Sequence, residues 1–290
     1  MGFGYRQIST EGLKPLGRGK SGTVYWVDDD KVVKIYHDGR SELEVLREYL
    51  TARLMEEANV RAMRIFEVVK SGDAFGLVCE RLEGVSFRQL LFSETARIDK
   101  IAALYAHFMR EGHLAVLGQD EGVSVRPTFE RWTNSIRVFS REDRDALQRS
   151  LSHIPNRLCL LHMDPTPENL LLLADGSLAW IDLESCGTGH PAFSLQALYF
   201  PDDVDTIPGV SLDEARVLRR FWHSFARNYF VGFDQSRMGS IIRGIKVLAV
   251  LRSLGFLQDK VGDTPLFRAQ ASALTKGLFC DIAQGLDYDW

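Results

Sequence analysis

Three polar residues at fixed spacing are the strongest chemical feature of the chain. The sequence HMDPTPEN at residues 162–169 has the pattern His-x-Asp-x-x-x-x-Asn. In enzymes that transfer phosphoryl groups, this spacing lets the aspartate accept a hydroxyl proton while the asparagine binds a metal ion held on a nucleotide. We therefore predict that Asp164 is a catalytic base and Asn169 a metal ligand. His162 is grouped with Asp164 as a catalytic-loop residue that orients the loop through hydrogen bonds.

A glycine-rich stretch near the N-terminus, PLGRGKSGTV at residues 15–24, is the second candidate. It contains the tripeptide GKS, but a Walker-type phosphate loop requires a glycine where Lys14 stands and a helix immediately afterwards. The residues that follow are β-branched and aromatic, which favours a strand. The stretch fits the pattern G-x-G-x-x-G-x-V of a loop that covers nucleotide phosphates. Its predicted nucleotide-binding residues are Gly17, Gly19, Ser21 and Gly22.

A strand lysine and a helix glutamate are expected after such a loop. Lys34 lies in the apolar run 31–36. Because side chains alternate along a strand, Lys34 should face the opposite side from Val33, toward a bound nucleotide. The candidates to pair with it are the glutamates of the following predicted helix, which are Glu42, Glu44 and Glu48.

An aspartate after the catalytic loop is the last residue that a phosphoryl-transfer site of this kind requires. Two apolar runs joined by an Asp-Gly turn, at 170–173 and 178–181, predict a buried hairpin that Asp182 ends. An aspartate at this place holds a metal ion, so Asp182 is the second predicted metal ligand. Glu184 is either a further acid near the metal or a solvated side chain. The segment that begins at Glu80 is predicted to offer backbone groups to adenine, which makes Glu80 a nucleotide-binding candidate.

The pattern of secondary structure changes once along the chain. Strands are predicted at 23–27, 31–36, 65–70 and 74–80, and an amphipathic helix is predicted at 41–58. Beyond residue 82 the chain is mainly helical, with helices predicted to begin near Ile98, Pro127, Ser140 and Ser211 and to cover 241–257 and 265–284. We predict an α+β fold with an antiparallel, five-stranded N-lobe at 1–82 that carries one helix, and a mostly helical C-lobe at 83–290.

Composition excludes several classes of partner. The formal net charge of −4 and the pI near 6.0 lack the basic footprint of a nucleic-acid-binding protein. Apolar runs are too short for a membrane span, so we expect a cytoplasmic protein without a membrane partner. The four cysteines form no CxxC pair, which predicts reduced thiols rather than a metal site. The oligomeric state is not predicted.

On these residues the chain resembles the protein-kinase-like phosphotransferases of the aminoglycoside phosphotransferase and choline kinase superfamily. The sequence HMDPTPENLLL is similar to their HGDxxxxNxL, and IDLE at 181–184 is similar to their I-D-(W/F)-E. Their G-D-P-x-x-D-L segment resembles residues 188–195, where His190 and Ser194 replace acids. The resemblance selects Glu48 as the partner of Lys34. It implies a two-lobe kinase-like fold, ATP and Mg²⁺ as cofactors, and a small-molecule hydroxyl acceptor that is aminoglycoside-, choline- or sugar-like.

Alternative functions stay open at this stage. An ATP-binding regulatory module without transfer activity, a nucleotide-dependent adaptor and a protein or peptide kinase are the alternatives. The last is disfavoured because Asp182 is followed by Leu-Glu rather than Phe-Gly, and no Ala-Pro-Glu sequence follows. Candidate acceptor-pocket residues are Trp132, Tyr199 and Trp222. The acidic residues Asp202, Asp203 and Asp205 are expected to form a solvated loop rather than a site for a cationic substrate.

Overall fold

Strands dominate the N-terminal part of the chain. The structure is a computed structural model that describes residues 4–37, 39–115, 117–118, 122–202 and 210–290. Its largest sheet has the order β1-β5-β6-β4-β3-β2. These strands are β1 (Arg6–Gln7), β2 (Pro15–Arg18), β3 (Gly22–Trp26), β4 (Lys31–Tyr36), β5 (Ile65–Ser71) and β6 (Ala74–Glu80). The four strands predicted between residues 23 and 80 are confirmed, to within about two residues at each end.

The six-stranded sheet departs from the prediction in one respect. The predicted sheet had five strands and was antiparallel throughout, whereas β1 adds a sixth strand that pairs in parallel with β5, with Arg6 opposite Val69. The remaining pairings in this sheet are antiparallel. A strand of two residues is too short to show the alternation of apolar and polar residues on which the prediction rested.

Helix α1 (Glu42–Glu57) follows β4 and begins at a well-formed cap. The Ser41 side chain accepts from the Glu44 backbone N–H, and the Glu44 carboxylate accepts from the Ser41 backbone, which is a capping box. The predicted helix is confirmed, but the leucines that give it its predicted apolar face, at residues 43, 46, 50 and 54, are not buried. Leu43 is 68% exposed. The buried residues of α1 are Val45, Glu48, Thr51, Ala52 and Met55.

The rest of the chain is mainly helical, as predicted. The helices are α2 (Phe87–Ser93), α3 (Ile98–Leu114), α4 (Arg126–Ser135), α5 (Arg141–Ser152), α6 (Ala192–Leu195), α7 (Leu212–Tyr229), α8 (Gln235–Val261), α9 (Pro265–Leu274) and α10 (Leu278–Ala283), with 3₁₀ turns at Thr95–Arg97 and Leu183–Ser185. The single helix predicted over 265–284 is wrong. It is two helices, because Gly277 adopts a positive φ of 76° that ends the helical geometry.

Two small sheets accompany the helices. The first has the order β10-β9-β7 and contains the predicted hairpin, with strands β7 (Gly84–Ser86), β9 (Leu170–Leu173) and β10 (Leu178–Trp180). Gly176 makes the hairpin turn at a φ of 84°. The second sheet pairs β8 (Cys159–Leu161) with β11 (Gly187–Gly189) in antiparallel register. Residues 162–169, the predicted catalytic loop, therefore lie between β8 and β9.

The chain divides into two compact units. The first comprises the described residues of Met1–Leu90, Asp120–Gly122 and Pro167–Cys186, and it is built from the six-stranded sheet, α1 and the β10-β9-β7 sheet. The second comprises the described residues of Leu91–Gln119, Val123–Thr166 and Gly187–Trp290, and most of it is helical. The predicted α+β class is confirmed. The predicted lobe boundary between residues 82 and 83 stays a prediction.

Each unit has its own apolar core. In the first, Val33, Val69 and Val78 form a small cluster under the sheet. In the second, a large cluster includes Phe129 and Phe193, whose ring centroids lie 4.9 Å apart. Helices α3 and α7 also pack through aromatic rings, since Tyr105 meets the edges of two phenylalanines on α7. In the described part of the chain, no helix is long and apolar enough to cross a membrane.

Candidate active site

A lysine with three carboxylates around it is the centre of the candidate site in the first unit. Lys34 lies on β4, and its Nζ is 3.4 Å from Glu48 Oε1, 3.2 Å from Asp182 Oδ1 and 3.7 Å from Glu184 Oε2. Burial alone would lower the pKa of Lys34, but the three carboxylates raise it above its ordinary value. Lys34 is therefore a fixed positive charge, and it faces away from Val33, which is fully buried, as strand alternation predicts.

Glu48 holds this lysine from helix α1. Its side chain is 1% exposed, and it accepts a second, short hydrogen bond from the Tyr36 hydroxyl. Burial raises the pKa of Glu48, while Lys34 acts in the opposite direction. The Lys34 ammonium also lies 4.9 Å from the centroid of the Tyr36 ring. Tyr36 was missed by the sequence analysis, because a tyrosine in a strand carries no signal beyond β-propensity.

The two predicted metal ligands lie at the two ends of the β9–β10 hairpin. Asn169 precedes β9, and Asp182 follows β10. The Ile181 backbone N–H donates to the Asn169 carbonyl at 2.9 Å, which connects the two ends. Asp182 has a left-handed backbone with φ of 58°, uncommon for a residue other than glycine and a conformation that clusters at functional sites. The structure thus brings Lys34, Glu48 and Asp182 together and ties the Asn169 backbone to the same hairpin.

Glu184 is partnered by two cations. Besides its approach to Lys34, its Oε2 accepts from the Arg40 Nη2 at 3.0 Å. Arg40 also reaches Glu44 at 3.4 Å, in the first turn of α1. Glu184 is therefore not a free surface acid. Arg40 was not predicted from the sequence, because no local spacing connects it to Glu184, 144 positions further along the chain.

The glycine-rich loop joins β2 to β3. The Gly19 N–H donates to the Gly22 carbonyl at 2.8 Å, which closes the turn. Gly22 needs to be glycine for a physical reason, because a Cβ there would lie 2.5 Å from the Ile35 carbonyl oxygen. A Cβ on Gly17 would meet nothing within 4 Å. The Ser21 carbonyl accepts from the N–H of His37, the residue after β4, at 2.9 Å, which supports the loop tip.

Glu80 lies at the end of β6 with both carboxylate oxygens engaged. Arg61 donates to the two oxygens at 2.9 Å each, and the Arg64 backbone N–H donates to one of them at 3.1 Å. The Glu80 N–H donates to the Arg64 carbonyl, and the Arg81 N–H donates to Asp30. The Glu80 carboxylate and backbone N–H are therefore both engaged within the chain.

The predicted catalytic base is in the second unit. Asp164 lies in the loop after β8, and its backbone N–H donates to His162 Nδ1 at 3.3 Å. His162 is buried, and its carbonyl accepts from the Ser194 hydroxyl at 2.7 Å. Ser194, which replaces an acid in the resemblance, thus anchors α6 to the loop with a neutral hydrogen bond. The orienting role of His162 stays a prediction.

An arginine from the C-terminal part of the chain pairs with Asp164. The Arg252 Nη2, on helix α8, donates to Asp164 Oδ1 at 2.8 Å. The two residues are 88 positions apart. No local pattern could therefore have found this pair, and the sequence analysis did not name Arg252.

The other departure from the resemblance is His190. It is buried, and desolvation, followed by the nearby Arg157 charge, lowers its pKa to about 4. Its ring centroid is 4.7 Å from that of Trp290. His190 is therefore a neutral residue of the interior, and it does not supply the charge of the acid that it replaces.

The three candidate acceptor-pocket residues differ in their surroundings. Trp222 and Trp132 are both buried, and Tyr199 meets Trp222 edge to face at 5.6 Å. Trp132 packs against Phe256, which is 52% exposed. In the acidic loop, Asp202 is 2.6 Å from His223 Nε2, whereas Asp203 and Asp205 lie outside the described residues.

Solved structures show which fold these units define. The chain is 13% identical to a thermostable mutant of aminoglycoside phosphotransferase APH(4)-Ia in a ternary complex with ADP and hygromycin B, with a TM-score of 0.63 and coverage of 95% and 94% of the two chains. It is 15% identical to amicoumacin kinase hAmiN in complex with AMP-PNP, Ca²⁺ and Ami, with a TM-score of 0.60 and coverage of 98% and 93%. At these identities the likeness establishes the fold, and the predicted kinase-like fold is confirmed.

The family follows from the sequence itself. A sequence model of the phosphotransferase enzyme family, APH, matches residues 12–229. The chain belongs to this family, and it is therefore a kinase, a phosphotransferase with an alcohol group as acceptor. No curated protein sequence matches the chain.

Proposed function

We propose that the protein transfers the γ-phosphoryl group of Mg·ATP to a hydroxyl group of a small molecule. The observation that carries the proposal is the contact of Lys34 with Glu48 and Asp182, at 3.4 Å and 3.2 Å. A buried lysine paired with a helix glutamate, beside a metal-binding aspartate, is the arrangement that kinases use to hold nucleotide phosphates. Membership of the phosphotransferase enzyme family supports the same conclusion.

Lys34 binds the α and β phosphates in this proposal, and Glu48 positions it. Phosphate oxygens are negative, so a lysine kept protonated by three carboxylates is suited to them. Gly17, Gly19 and Gly22 let the loop between β2 and β3 cover the phosphates, with Ser21 at its tip. The backbone carbonyl of Glu80 and the residues after it contact adenine.

Magnesium fits the oxygen donors that the first unit offers. The described residues contain no group of three or more His, Cys, Asp or Glu side chains that could hold a metal alone. Mg²⁺ is usually bound through one or two carboxylates together with substrate phosphates, so this finding is compatible with it. Asp182 and Asn169 are the residues that would hold the ion. When bound, Mg²⁺ supplies neutralisation of the charge on the phosphates.

Asp164 accepts the proton of the acceptor hydroxyl. Its loop is held by the His162 ring and by Ser194, and Arg252 fixes one carboxylate oxygen. A positioned base contributes about 100- to 10,000-fold to such a step. Alignment of the reacting groups contributes up to about 7–11 kcal/mol, so most of the acceleration comes from holding the hydroxyl and the phosphoryl group in line.

The acceptor is a small molecule in this proposal, and the protein acts in the cytoplasm. Proteins of the same fold were solved with hygromycin B and with Ami, which supports a small-molecule acceptor. The family resemblance leaves aminoglycoside-, choline- and sugar-like acceptors open. The N-lobe at 1–82 would carry the nucleotide-binding residues, and the C-lobe at 83–290 the catalytic loop.

The experiment is a coupled turnover screen with purified protein, Mg·ATP and a panel of hydroxyl compounds. The panel contains aminoglycosides, choline, ethanolamine, sugars, amino alcohols and hydroxy acids. We expect turnover with a small molecule, loss of turnover in Asp164→Asn, and loss of Mg²⁺-dependent ATP binding in Asp182→Ala. Full turnover in Asp182→Ala would contradict the metal assignment. Label on protein alone, or ATP binding without consumption across the panel, would replace the proposal with a protein kinase or a regulatory module.

A further inference from the structure

Arg252 introduces a positive charge at the predicted catalytic base. Its guanidinium donates to Asp164 Oδ1 at 2.8 Å, and both side chains remain partly exposed. Arg252 lies on helix α8, beyond the residues 12–229 that the family model matches. The residue is therefore a feature of this chain that membership of the family does not explain.

Within the described part of the chain, one hydrogen bond, to Asp164, uses the donors of this guanidinium. A guanidinium has several N–H donors in a fixed plane, and it can bind two carboxylates on different edges. Among the residues that the structure describes, Asp164 is the one acceptor in hydrogen-bond contact with Arg252. Because the guanidinium is partly exposed, its remaining donors can reach a ligand.

An aromatic side chain holds the guanidinium in place. The Phe256 ring centroid lies 5.2 Å from the central carbon of Arg252, one helical turn away on α8. Phe256 packs against the buried Trp132 at 5.2 Å, yet 52% of its own surface is exposed. An arginine stacked on an aromatic ring is pre-organised for a planar anion, and the exposed part of the ring is available to an apolar group.

The same arrangement disfavours a cationic acceptor. An ammonium group brought to Asp164 would meet the Arg252 charge, and the carboxylate that could attract it is already paired. Like charges brought close together repel, which is a common means of rejecting wrong ligands. The Arg131 guanidinium carbon lies 5.7 Å from the Trp132 ring centroid, and Arg131 pairs with Asp259 at 3.9 Å, so the negative charge of Asp259 is compensated.

We propose that the acceptor is a small hydroxy acid, whose carboxylate binds Arg252 and whose apolar body rests on Phe256. This inference rests on the proposed function, and it assigns an anionic acceptor in place of the cationic acceptors that the proposed function left open. In the reaction the acceptor O–H bond breaks and its proton passes to Asp164. The acceptor oxygen forms the new bond to the γ-phosphorus, and the bond from that phosphorus to the β–γ bridging oxygen breaks, which releases ADP. Arg252 determines specificity by holding the carboxylate.

The test uses three compounds that share a hydroxyl and a phenyl group and differ in charge. They are phenyllactate, which is an anion, its neutral carboxamide, and the corresponding amine, which is a cation. Binding of each to the full-length protein with Mg²⁺ and AMP-PNP is measured by calorimetry, and phosphorylation with Mg·ATP is measured by mass spectrometry. We expect phenyllactate to bind about 10- to 100-fold more tightly than the carboxamide, as a charge-assisted hydrogen bond implies, and the amine to bind most weakly.

The variants assign the preference to one residue. Arg252→Gln should abolish the difference between phenyllactate and the carboxamide, and Arg252→Lys should restore part of it. Arg131→Gln is the matched control, since its guanidinium lies beside the same aromatic pair but does not contact Asp164, and it should keep the ranking. Thermal unfolding of each variant checks that it is folded.

Several results would overturn the inference. One such result is that the wild-type protein binds the amine most tightly, and another is that it does not bind phenyllactate. A third such result is that Arg252→Gln keeps the ranking of the three compounds while their turnover falls equally. The last result would make Arg252 a residue that only positions Asp164. Failure of the proposed function would appear separately, as wild-type protein that does not bind Mg·ATP or that transfers no phosphoryl group to any acceptor.

Discussion

Replacing Glu48 by glutamine tests whether the buried ion pair with Lys34 organises the nucleotide-binding unit. The Lys34 Nζ is 3.4 Å from Glu48 Oε1, and the carboxylate is 1% exposed. At an effective dielectric constant of about 20, two unit charges at this distance attract by about 5 kcal/mol. Part of this is offset by the cost of burying the charges, and breaking a buried pair typically costs about 3–5 kcal/mol.

The structure favours the lower end of that range. Lys34 keeps Asp182 and Glu184 as partners in the variant, although Asp182 is 43% exposed and its contribution is reduced by solvent. Glutamine also keeps an oxygen that can accept from the Tyr36 hydroxyl. We therefore expect Glu48→Gln to lower the free energy of unfolding by about 3 kcal/mol and to weaken Mg·ATP binding.

The assay is urea unfolding, combined with a double-mutant cycle that adds Lys34→Met. The cycle should give a coupling of about 1–3 kcal/mol between the two residues. Glu56→Gln is the control, because Glu56 lies at the other end of α1 in an exposed pair with Arg53 at 3.0 Å and should cost less than about 1 kcal/mol. Equal free energies of unfolding for Glu48→Gln and Glu56→Gln, or a coupling of zero between Glu48 and Lys34, would show that this ion pair does not stabilise the unit.

Two further predictions concern buried groups. Desolvation lowers the pKa of His113 to about 3 from an unfolded value near 6.5, so the unfolded chain binds the proton first and stability falls as the pH falls. Unfolding in urea should show a loss of about 2 kcal/mol from this residue between about pH 7 and pH 5, which His113→Gln removes. A loss of stability between pH 7 and pH 5 that His113→Gln leaves unchanged would contradict the assignment. Gly22→Ala should lower the free energy of unfolding by about 1–3 kcal/mol, because the added Cβ would lie 2.5 Å from the Ile35 carbonyl oxygen. Gly17→Ala is the control: its Cβ would meet nothing within 4 Å, so the free energy of unfolding should change by less than about 1 kcal/mol. Equal melting temperatures of the two variants would refute this reasoning.

The candidate site residues that the sequence suggests each depend on one short motif. The pattern at 162–169, the lysine in β4 and the aspartate after the hairpin are local, so their order along the chain is enough to name them. The α+β class and the long helices were predicted for the same reason. The strand β1 was missed because two residues show no periodicity, and the break at Gly277 was missed because an isolated glycine within a helical pattern does not by itself show that the helix ends there.

Contacts between distant residues could not be predicted in this way. On α1 the leucines suggested one buried face, but the buried face includes Glu48, because its charge is paired with Lys34 from a neighbouring strand. A pattern of hydrophobicity counts a buried glutamate as exposed. The contact of Arg252 with Asp164 likewise depends on where α8 packs in the second unit, which no local signal reports.

Transfer of labelled γ-phosphate from ATP to a small-molecule hydroxyl, compared between the wild-type protein and Asp164→Asn, tests the central claim most directly. Binding of Mg·ATP is measured in the same samples, so that loss of chemistry is separated from loss of nucleotide. We expect Asp164→Asn to bind Mg·ATP as the wild type does and to transfer phosphate at least about 100-fold more slowly, because a positioned base has been removed. Transfer at the wild-type rate by Asp164→Asn would contradict the assignment of the catalytic base and, with it, the proposed mechanism.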